Sequence, residues 1–262
     1  MHFTKMHGLG NDYLYVFGEV PADVASLSVA LSDRHFGAGS DGMIYISPSD
    51  KADFKMRIFN ADGSEAKMCG NGIRCVGKYV YDKGYTDKTH LRIETLSGIR
   101  ELELFLRCGK VSGVEVDMGS AVVGDDMTIT AAGTELKCTP VSVGNPHAVT
   151  FVEDVESVPL TTIGPAVEHH EAFPGGVNAE FVQVLDARRL RMRVWERGSG
   201  ETLACGTGAC ATLVATVLNG LCERKAVLER NGGPLTVEWD AETNHVFQEG
   251  PAAFVFDTEY DA

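Results

Sequence analysis

RIFNADGSEAKMCGNGIRC (Arg57 to Cys75) and RVWERGSGETLACGTGACA (Arg193 to Ala211) are one motif written twice in this chain. Laid over each other without a gap, they match Arg57 with Arg193, Phe59 with Trp195, Asn60 with Glu196 and Glu65 with Glu201. The match continues with Cys69 on Cys205, Gly70 on Gly206 and Gly72 on Gly208. An ungapped repeat centred on Cys-Gly-x-Gly predicts a duplicated unit, each copy presenting one cysteine at the mouth of a helix.

Working outward, each half repeats one plan. A short strand (His2 to Lys5), the polar turn His7 to Asp12 and a β-rich run (Tyr13 to Phe17) precede a helix over Ala22 to Asp33. Strands are expected over Met43 to Ser47 and Phe54 to Phe59, before the first motif. Its helix spans about Gly70 to Asp82, followed by strands Leu91 to Thr95, Ile99 to Leu106 and Val111 to Asp117. The second half has a strand at Val141 to Val143, the polar turn Gly144 to His147, the strand-like AVTFV and a short helix over Leu160 to His169. Strands Glu180 to Leu185 and Arg191 to Trp195 then lead to the second motif and a helix over Gly206 to Asn219. Four short strands close the chain: Ala226 to Glu229, Leu235 to Trp239, His245 to Gln248 and Ala253 to Asp257.

The second motif helix carries Ala209, Cys210, Ala211, Leu213, Val214, Ala215, Val217 and Leu218, apolar on nearly every face, so it belongs inside the fold. The expected class is α+β: two pseudo-symmetric domains, each a mixed or antiparallel β-sheet wrapped around a central helix. No linker rich in proline, serine or charge separates them, and the boundary falls near Lys110 to Asp117.

A formal charge of -14 repels phosphate backbones and anionic lipids, so neither nucleic acid nor a membrane is an expected partner. The N-terminus lacks the apolar core of a signal peptide and no apolar run approaches the ~18 residues of a membrane span, which points to the cytoplasm. Seven cysteines without CxxC pairing argue against a disulfide framework or a zinc ribbon, so no metal is expected. Cys75, Cys108, Cys138, Cys210 and Cys222 are expected to be small buried hydrophobes.

Cys69 and Cys205 differ from these, because each stands where a helix starts. The free N–H groups of a first turn form an anion site, and small residues let a ligand approach it. A glycine-rich tight turn explains one such copy equally well; it does not explain two with a cysteine in register. The helix end favours a thiolate, and the dipole is expected to lower a thiol near ~8.5 by about one unit. A thiol facing a thiolate across a carbon acid is what a two-base inversion requires. Two helix ends aimed at one carboxylate would stabilise the carbanion, in place of the electron sink of a pyridoxal cofactor. No cofactor motif competes: HGLGND lacks the setting of a dinucleotide fingerprint, and GxxxxGK[ST] is absent.

Asn11, Asn60, Asn145 and Asn178 stand in glycine-rich or strand-end segments, where turn or capping roles are open alongside ligand contacts. Beside the cysteines they could hold ammonium and carboxylate groups, with Arg197 as a carboxylate fork. His147 could assist a thiol or fill a polar turn. Glu196 lies opposite Asn60 in the repeat, and Arg197 opposite Ala61, so the halves differ in charge.

The segments KMHGLGND, FNADGSEAKMCGNGIRC, VGNPHAV, GVNAEFVQV and WERGSGETLACGTGACA together resemble the diaminopimelate epimerases, over the whole chain. The resemblance implies a cofactor-independent isomerase of lysine and peptidoglycan precursor biosynthesis, interconverting LL- and meso-diaminopimelate. It implies two domains, 1–112 with 251–262 returning to it, and 113–250, with the ligand in the cleft between them. It makes Cys69 the proton donor and Cys205 the acceptor in one direction, and Gly70-Asn71 with Gly206-Thr207 the carboxylate holders. Asn11, Asn60, Asn145, Asn178 and Arg197 become substrate contacts, while Glu196 and His147 hold the reacting amino group and support the thiols. A homodimer is implied, through Phe256, where a tyrosine is usual. Gly42 stands where many members place a substrate-contacting glutamine.

Three rivals remain at this point. Proline and hydroxyproline racemases resemble MCGHG at the first cysteine, whereas this chain has MCGNG. A redox protein cycling Cys69 and Cys205 as a disulfide, or a non-catalytic amino-acid binder, leaves the duplicated anion sites or the second cysteine unexplained.

Overall fold

The computed structural model describes residues 1–260; positions 261 and 262, the end of the segment expected to return to the first half, lie outside the described residues. The chain forms two compact units, Met1–Val116 with the C-terminal segment from Gly250, and Asp117–Glu249. The class is α+β.

The first unit contains β1 (His2–Gly8), β2 (Asn11–Phe17), α1 (Val24–Ser32), β3 (Gly42–Pro48), β4 (Phe54–Asn60) and the two-residue β5 (Glu65–Ala66). It continues with α2 (Gly70–Asp82), β6 (His90–Thr95), β7 (Gly98–Arg107) and β8 (Lys110–Ser120), which runs over the boundary. The second unit contains β9 (Val122–Val123), β10 (Met127–Ala131), β11 (Thr134–Ser142), β12 (Pro146–Phe151), α3 (Leu160–Glu168), β13 (Asn178–Asp186) and β14 (Arg189–Glu196). Then come β15 (Gly200–Glu201), α4 (Gly206–Leu218), β16 (Lys225–Glu229), β17 (Leu235–Trp239) and β18 (His245–Gly250). Finally β19 (Ala253–Glu259) joins the first unit.

The pairings of the two units are copies of each other. In the first, the order is β19-β1-β2-β3-β4-β6-β7-β8, with β2–β3 and β4–β6 parallel and the other neighbours antiparallel. In the second, the order is β10-β11-β12-β13-β14-β16-β17-β18, with β12–β13 and β14–β16 parallel. Each parallel pair needs a crossover, and a helix supplies it in every case: α1, α2, α3 and α4 in turn. The C-terminal strand β19 holds beside β1 the place that β10 holds beside β11.

Inside each curved sheet lies one motif helix. In α2 every residue from Gly70 to Val80 is buried except Lys78, whose Nζ reaches Val111 O at 2.5 Å and Asp82 Oδ2 at 2.8 Å. Gly77 lets this helix lie close on β7, since a Cβ there would stand 2.9 Å from Leu104 Cδ2. In α4, Gly206 and every residue from Gly208 to Thr216 are buried, as an all-apolar helix requires. No helix among the described residues is long and apolar enough to cross a membrane.

Three local expectations are corrected. The hairpin β10–β11 occupies a stretch where only Val141 to Val143 was expected as strand. Pro140 in the ladder masks the pattern, although Ala132 and Gly133, at φ 50° and 77°, make the tight turn. The N-terminal turn is shorter than expected: β1 and β2 extend until Gly8 pairs with Asn11, and Leu9 and Gly10 turn at φ 59° and 91°. Of the five cysteines expected in the core, Cys75, Cys138 and Cys210 are buried, but Cys222 is half-buried and Cys108 exposed. Cys108 is the φ 52° residue of the β7–β8 turn, and a turn tip faces solvent.

Candidate functional site

The repeat in sequence is a repeat in geometry. Arg57 Nε donates to Glu65 Oε1 at 2.6 Å, and Arg193 Nε to Glu201 Oε1 at 2.9 Å, so each flap strand, β5 or β15, is tied to the strand before it. The flap delivers the cysteine to the N-cap of the motif helix. Cys69 Sγ accepts from Gly72 N–H at 3.3 Å, and Cys205 Sγ from Gly208 N–H at 3.4 Å, both with extended backbone. The amides at Gly70-Asn71 and Gly206-Thr207 belong to first turns, whose N–H groups have no partner within the helix.

Strand register identifies what surrounds each sulfur. In the second unit His147 lies beside Asn178, and the pairing of Ala179 with Trp195 brings Asn178 beside Glu196. In the first, Leu14 pairs with Met43 and Gly42 with Asn60, which puts Tyr13 beside Gly42. Asn11 therefore corresponds to Asn145, Tyr13 to His147, Gly42 to Asn178, Ile44 to Glu180 and Asn60 to Glu196. The motif glycines agree: a Cβ on Gly72 would stand 2.7 Å from Ile44 Cδ1, and one on Gly208 would stand 2.6 Å from Glu180 Oε1.

In the first half-site the Cys69 thiol donates to Asn11 Oδ1 at 3.3 Å. Asn11 Nδ2 donates in turn to Asp41 Oδ2 at 2.8 Å, and that oxygen also accepts from Asp12 N–H at 3.0 Å. Arg34 bridges Asp12 and Asp41 at 2.9 Å to each. Burial pushes the Asp41 carboxyl up, and the Asp12 charge adds to it. The Tyr13 hydroxyl bonds to the side chains of Asn11 and Cys69; burial, then the neighbouring sulfur, holds that phenol well above its ordinary range. Asn71 is buried, its Oδ1 accepting from Arg74 Nη2 at 2.8 Å, and Arg74 also reaches Gly70 O and Pro251 O. Asn60 Nδ2 donates to Ser64 Oγ at 3.1 Å, inside the flap turn.

The second half-site is more acidic. His147 Nδ1 lies 2.7 Å from Glu180 Oε1, with both side chains fully buried, and Nε2 lies 3.1 Å from Asn145 Oδ1. Asn178 Oδ1 accepts the Arg197 N–H at 2.8 Å, and its Nδ2 faces His147 Nδ1 at 3.4 Å. Arg197 Nη1 is held by Gly175 O at 2.9 Å. Glu196 accepts from Thr202 Oγ1 and from the Cys205 thiol. Thr207 Oγ1 lies 3.6 Å from the Cys205 sulfur, and Arg230 Nη1 donates to Cys205 O at 3.2 Å.

These surroundings correct one electrostatic expectation. Burial, and then the charges of Glu196 and Glu180, push the Cys205 thiol well above its ordinary range, so the helix end alone does not bring this sulfur to a thiolate. Desolvation and two carboxylates outweigh a dipole contribution of at most ~2 kcal/mol.

Tyr13, Asp41, Glu168 and Glu180 were not among the residues singled out from sequence. Glu168 Oε2 accepts from Trp195 Nε1 at 2.7 Å, and its Oε1 from Gly198 N–H at 2.9 Å, fixing the turn that carries Arg197. Glu180 had a visible signal: an acidic residue in the strand NAEFV, whose neighbours are all buried. Gly42 has no room for a side chain, since a Cβ would stand 2.2 Å from Phe59 O at φ 152°. Phe256 lies on β19 opposite Lys5, half-exposed, with the Lys5 ammonium 6.0 Å from its ring centre.

Comparison with known proteins agrees with this geometry. The diaminopimelate epimerase family model matches residues 3–124 and 139–255. A diaminopimelate epimerase of Acetivibrio thermocellus is 56% identical, over 100% of this chain and 99% of its own. One of Methanococcus maripaludis is 54% identical, over 100% of both. Among solved structures, a PhzF-family phenazine biosynthesis protein of Bacillus anthracis superposes with a TM-score of 0.79 at 17% identity, covering 100% of this chain and 99% of that one. A hydroxyproline epimerase of Agrobacterium vitis superposes at 0.74 with 18% identity, covering 98% and 90%. These two are likenesses of fold. Identity above one half over the full length of two curated relatives, with the family match to both motif regions, places the chain itself: it belongs to the diaminopimelate epimerase family.

Proposed function

We propose that this protein is an isomerase of lysine and peptidoglycan precursor biosynthesis that interconverts LL- and meso-diaminopimelate by two-base proton transfer, without a cofactor. The observation that carries the reading is the pair of cysteine N-caps, each bonded through Sγ to the third amide of its motif helix.

In this reaction one sulfur, as thiolate, removes the α-proton from one face of the substrate. The electron pair moves into the α-carboxylate, and the other sulfur, as thiol, returns a proton to the opposite face. The N–H groups at Gly70-Asn71 and Gly206-Thr207 hold the carboxylate as its charge rises. Asn11, Asn60, Asn145, Asn178 and Arg197 contact the substrate, and Glu196 with His147 receives the reacting ammonium. Cys205 starts as a thiol, raised by burial and two carboxylates. An ammonium against Glu196 offsets one of those charges, so substrate binding itself eases the ionisation of this sulfur. Removing the α-proton of an amino acid without an imine is difficult, and the aligned amides are the chain's means of doing it.

The protein acts in the cytoplasm as a homodimer, with Phe256 at the contact. Gly42 leaves the substrate without the glutamine contact usual in the family.

The test is incubation in deuterated water with LL-diaminopimelate, meso-diaminopimelate, L-proline and L-glutamate side by side, after exhaustive dialysis against a chelator. Exchange of the α-proton of the two diaminopimelates alone is expected. Exchange of proline instead, or activity restored only by an added metal or cofactor, would overturn the reading.

A further inference from the structure

The second half-site contains a carboxylate that the first lacks. Glu180 is fully buried in β13, its Oε1 2.7 Å from His147 Nδ1, and its Oε2 has no hydrogen-bond partner among the described residues. An acidic side chain in an apolar strand costs free energy unless something uses it. Ile44 fills the matching position of β3 and packs on Gly72 as Glu180 packs on Gly208. Packing therefore does not require an acid here, because the same backbone accommodates an aliphatic side chain.

Glu180 is also placed to act on the sulfur indirectly. A hydrogen bond to one ring nitrogen of a histidine decides the ring's orientation and where its proton lies. With Nδ1 committed to Glu180, Nε2 is turned to Asn145, at 3.1 Å. The other ionisable groups around this pair are Glu196 at the end of β14 and Cys205 before α4. Tyr13, which takes the place of His147 in the first half, bonds to Cys69 with no carboxylate behind it in β3.

We propose that Glu180 is a positioning residue that acts through His147: it accepts the Nδ1–H hydrogen bond and fixes the ring in the second half-site, giving the two thiols unequal surroundings. The catalytic part of this inference rests on the proton-transfer reading above; the part about the histidine does not.

The test uses the full-length protein with ¹⁵N-labelled histidine, the His147 signals being assigned by their loss in His147→Gln. Glu180→Gln and Glu180→Ile are compared with wild type by histidine ¹⁵N shifts without substrate and by the pH dependence of epimerisation. Both variants should move the His147 ring shifts. They should also lower kcat by on the order of 10- to 100-fold, with KM within about twofold, and displace the pH–rate profile. If neither substituted chain folds, Gly208→Ala, whose methyl group displaces Glu180 Oε1, should move the same signals. Unchanged His147 shifts together with an unchanged pH profile in any folded variant would overturn the proposal, even if that variant were less stable. An inactive wild type whose His147 still responds would instead overturn the proposed reaction.

Discussion

Gly42 and Phe59 approach so closely that a Cβ on Gly42 would stand 2.2 Å from the Phe59 carbonyl oxygen and 2.9 Å from the Asn60 Cα. Adjacent strands β3 and β4 make this contact, so relief requires moving backbone. Replacing Gly42 with glutamine should therefore not add a substrate contact. Gly42→Gln is expected to destabilise the protein by about 1–3 kcal/mol and to raise KM. Thermal denaturation with steady-state kinetics checks this; an unchanged Tm with a lower KM would contradict it.

The motif glycines should differ in their tolerance. A methyl on Gly72 meets Ile44 Cδ1 at 2.7 Å, the free end of an aliphatic side chain, whereas one on Gly208 meets Glu180 Oε1, which is committed to His147. Gly208→Ala is expected to lose at least tenfold more activity than Gly72→Ala at similar stability. Equal losses would mean that the carboxylate behind Gly208 is not used.

Serine caps a helix well, so Cys69→Ser and Cys205→Ser should fold with little change in Tm. Each should lose about 10²–10⁴-fold in epimerisation, because the hydroxyl is a poor proton carrier at neutral pH. Optical rotation or a coupled dehydrogenase assay measures this. Full activity in either variant excludes the two-base mechanism.

For Cys205 the sign of the pH effect follows from its raised thiol. Burial with Glu196 and Glu180 favours the neutral form, so alkylation by iodoacetamide should rise with a midpoint above the ~8.5 of a free thiol. The same shift predicts stability that is intact below that range and falls as pH rises through the folded-state value. Glu196→Gln removes one of the charges and should move the alkylation midpoint down. A midpoint at or below that of a free thiol, read by mass spectrometry of the Cys205 peptide, would refute this account.

On β19 the exposed Phe254, Val255 and Phe256 form an apolar strand segment. Phe256→Asp should shift the proposed homodimer toward monomer at micromolar concentration, read by sedimentation. Sedimentation identical to wild type would remove Phe256 from the contact.

The duplicated motif already contained the two-fold plan of the fold, because cysteine caps, glycines and the Arg–Glu pairs are local features repeated in register. The helices α2 and α4 were legible for the same reason: each lies between a cysteine cap and a glycine stop, apolar on nearly every face in α4 and interrupted by Arg74 and Lys78 in α2. Pairing across distance was not legible. That β19 takes beside β1 the place of β10 beside β11 depends on strands more than two hundred residues apart, which no local pattern records. Likewise, composition could show Glu180 and Ile44 only as an acid and an aliphatic in two strands. Tertiary packing set both against a motif glycine, and burial turned the acid into a partner of His147. Burial also reversed the direction of the shift expected for the Cys205 thiol, since the cost of ionising a sulfur is set by the charges and solvent that the folded chain leaves around it.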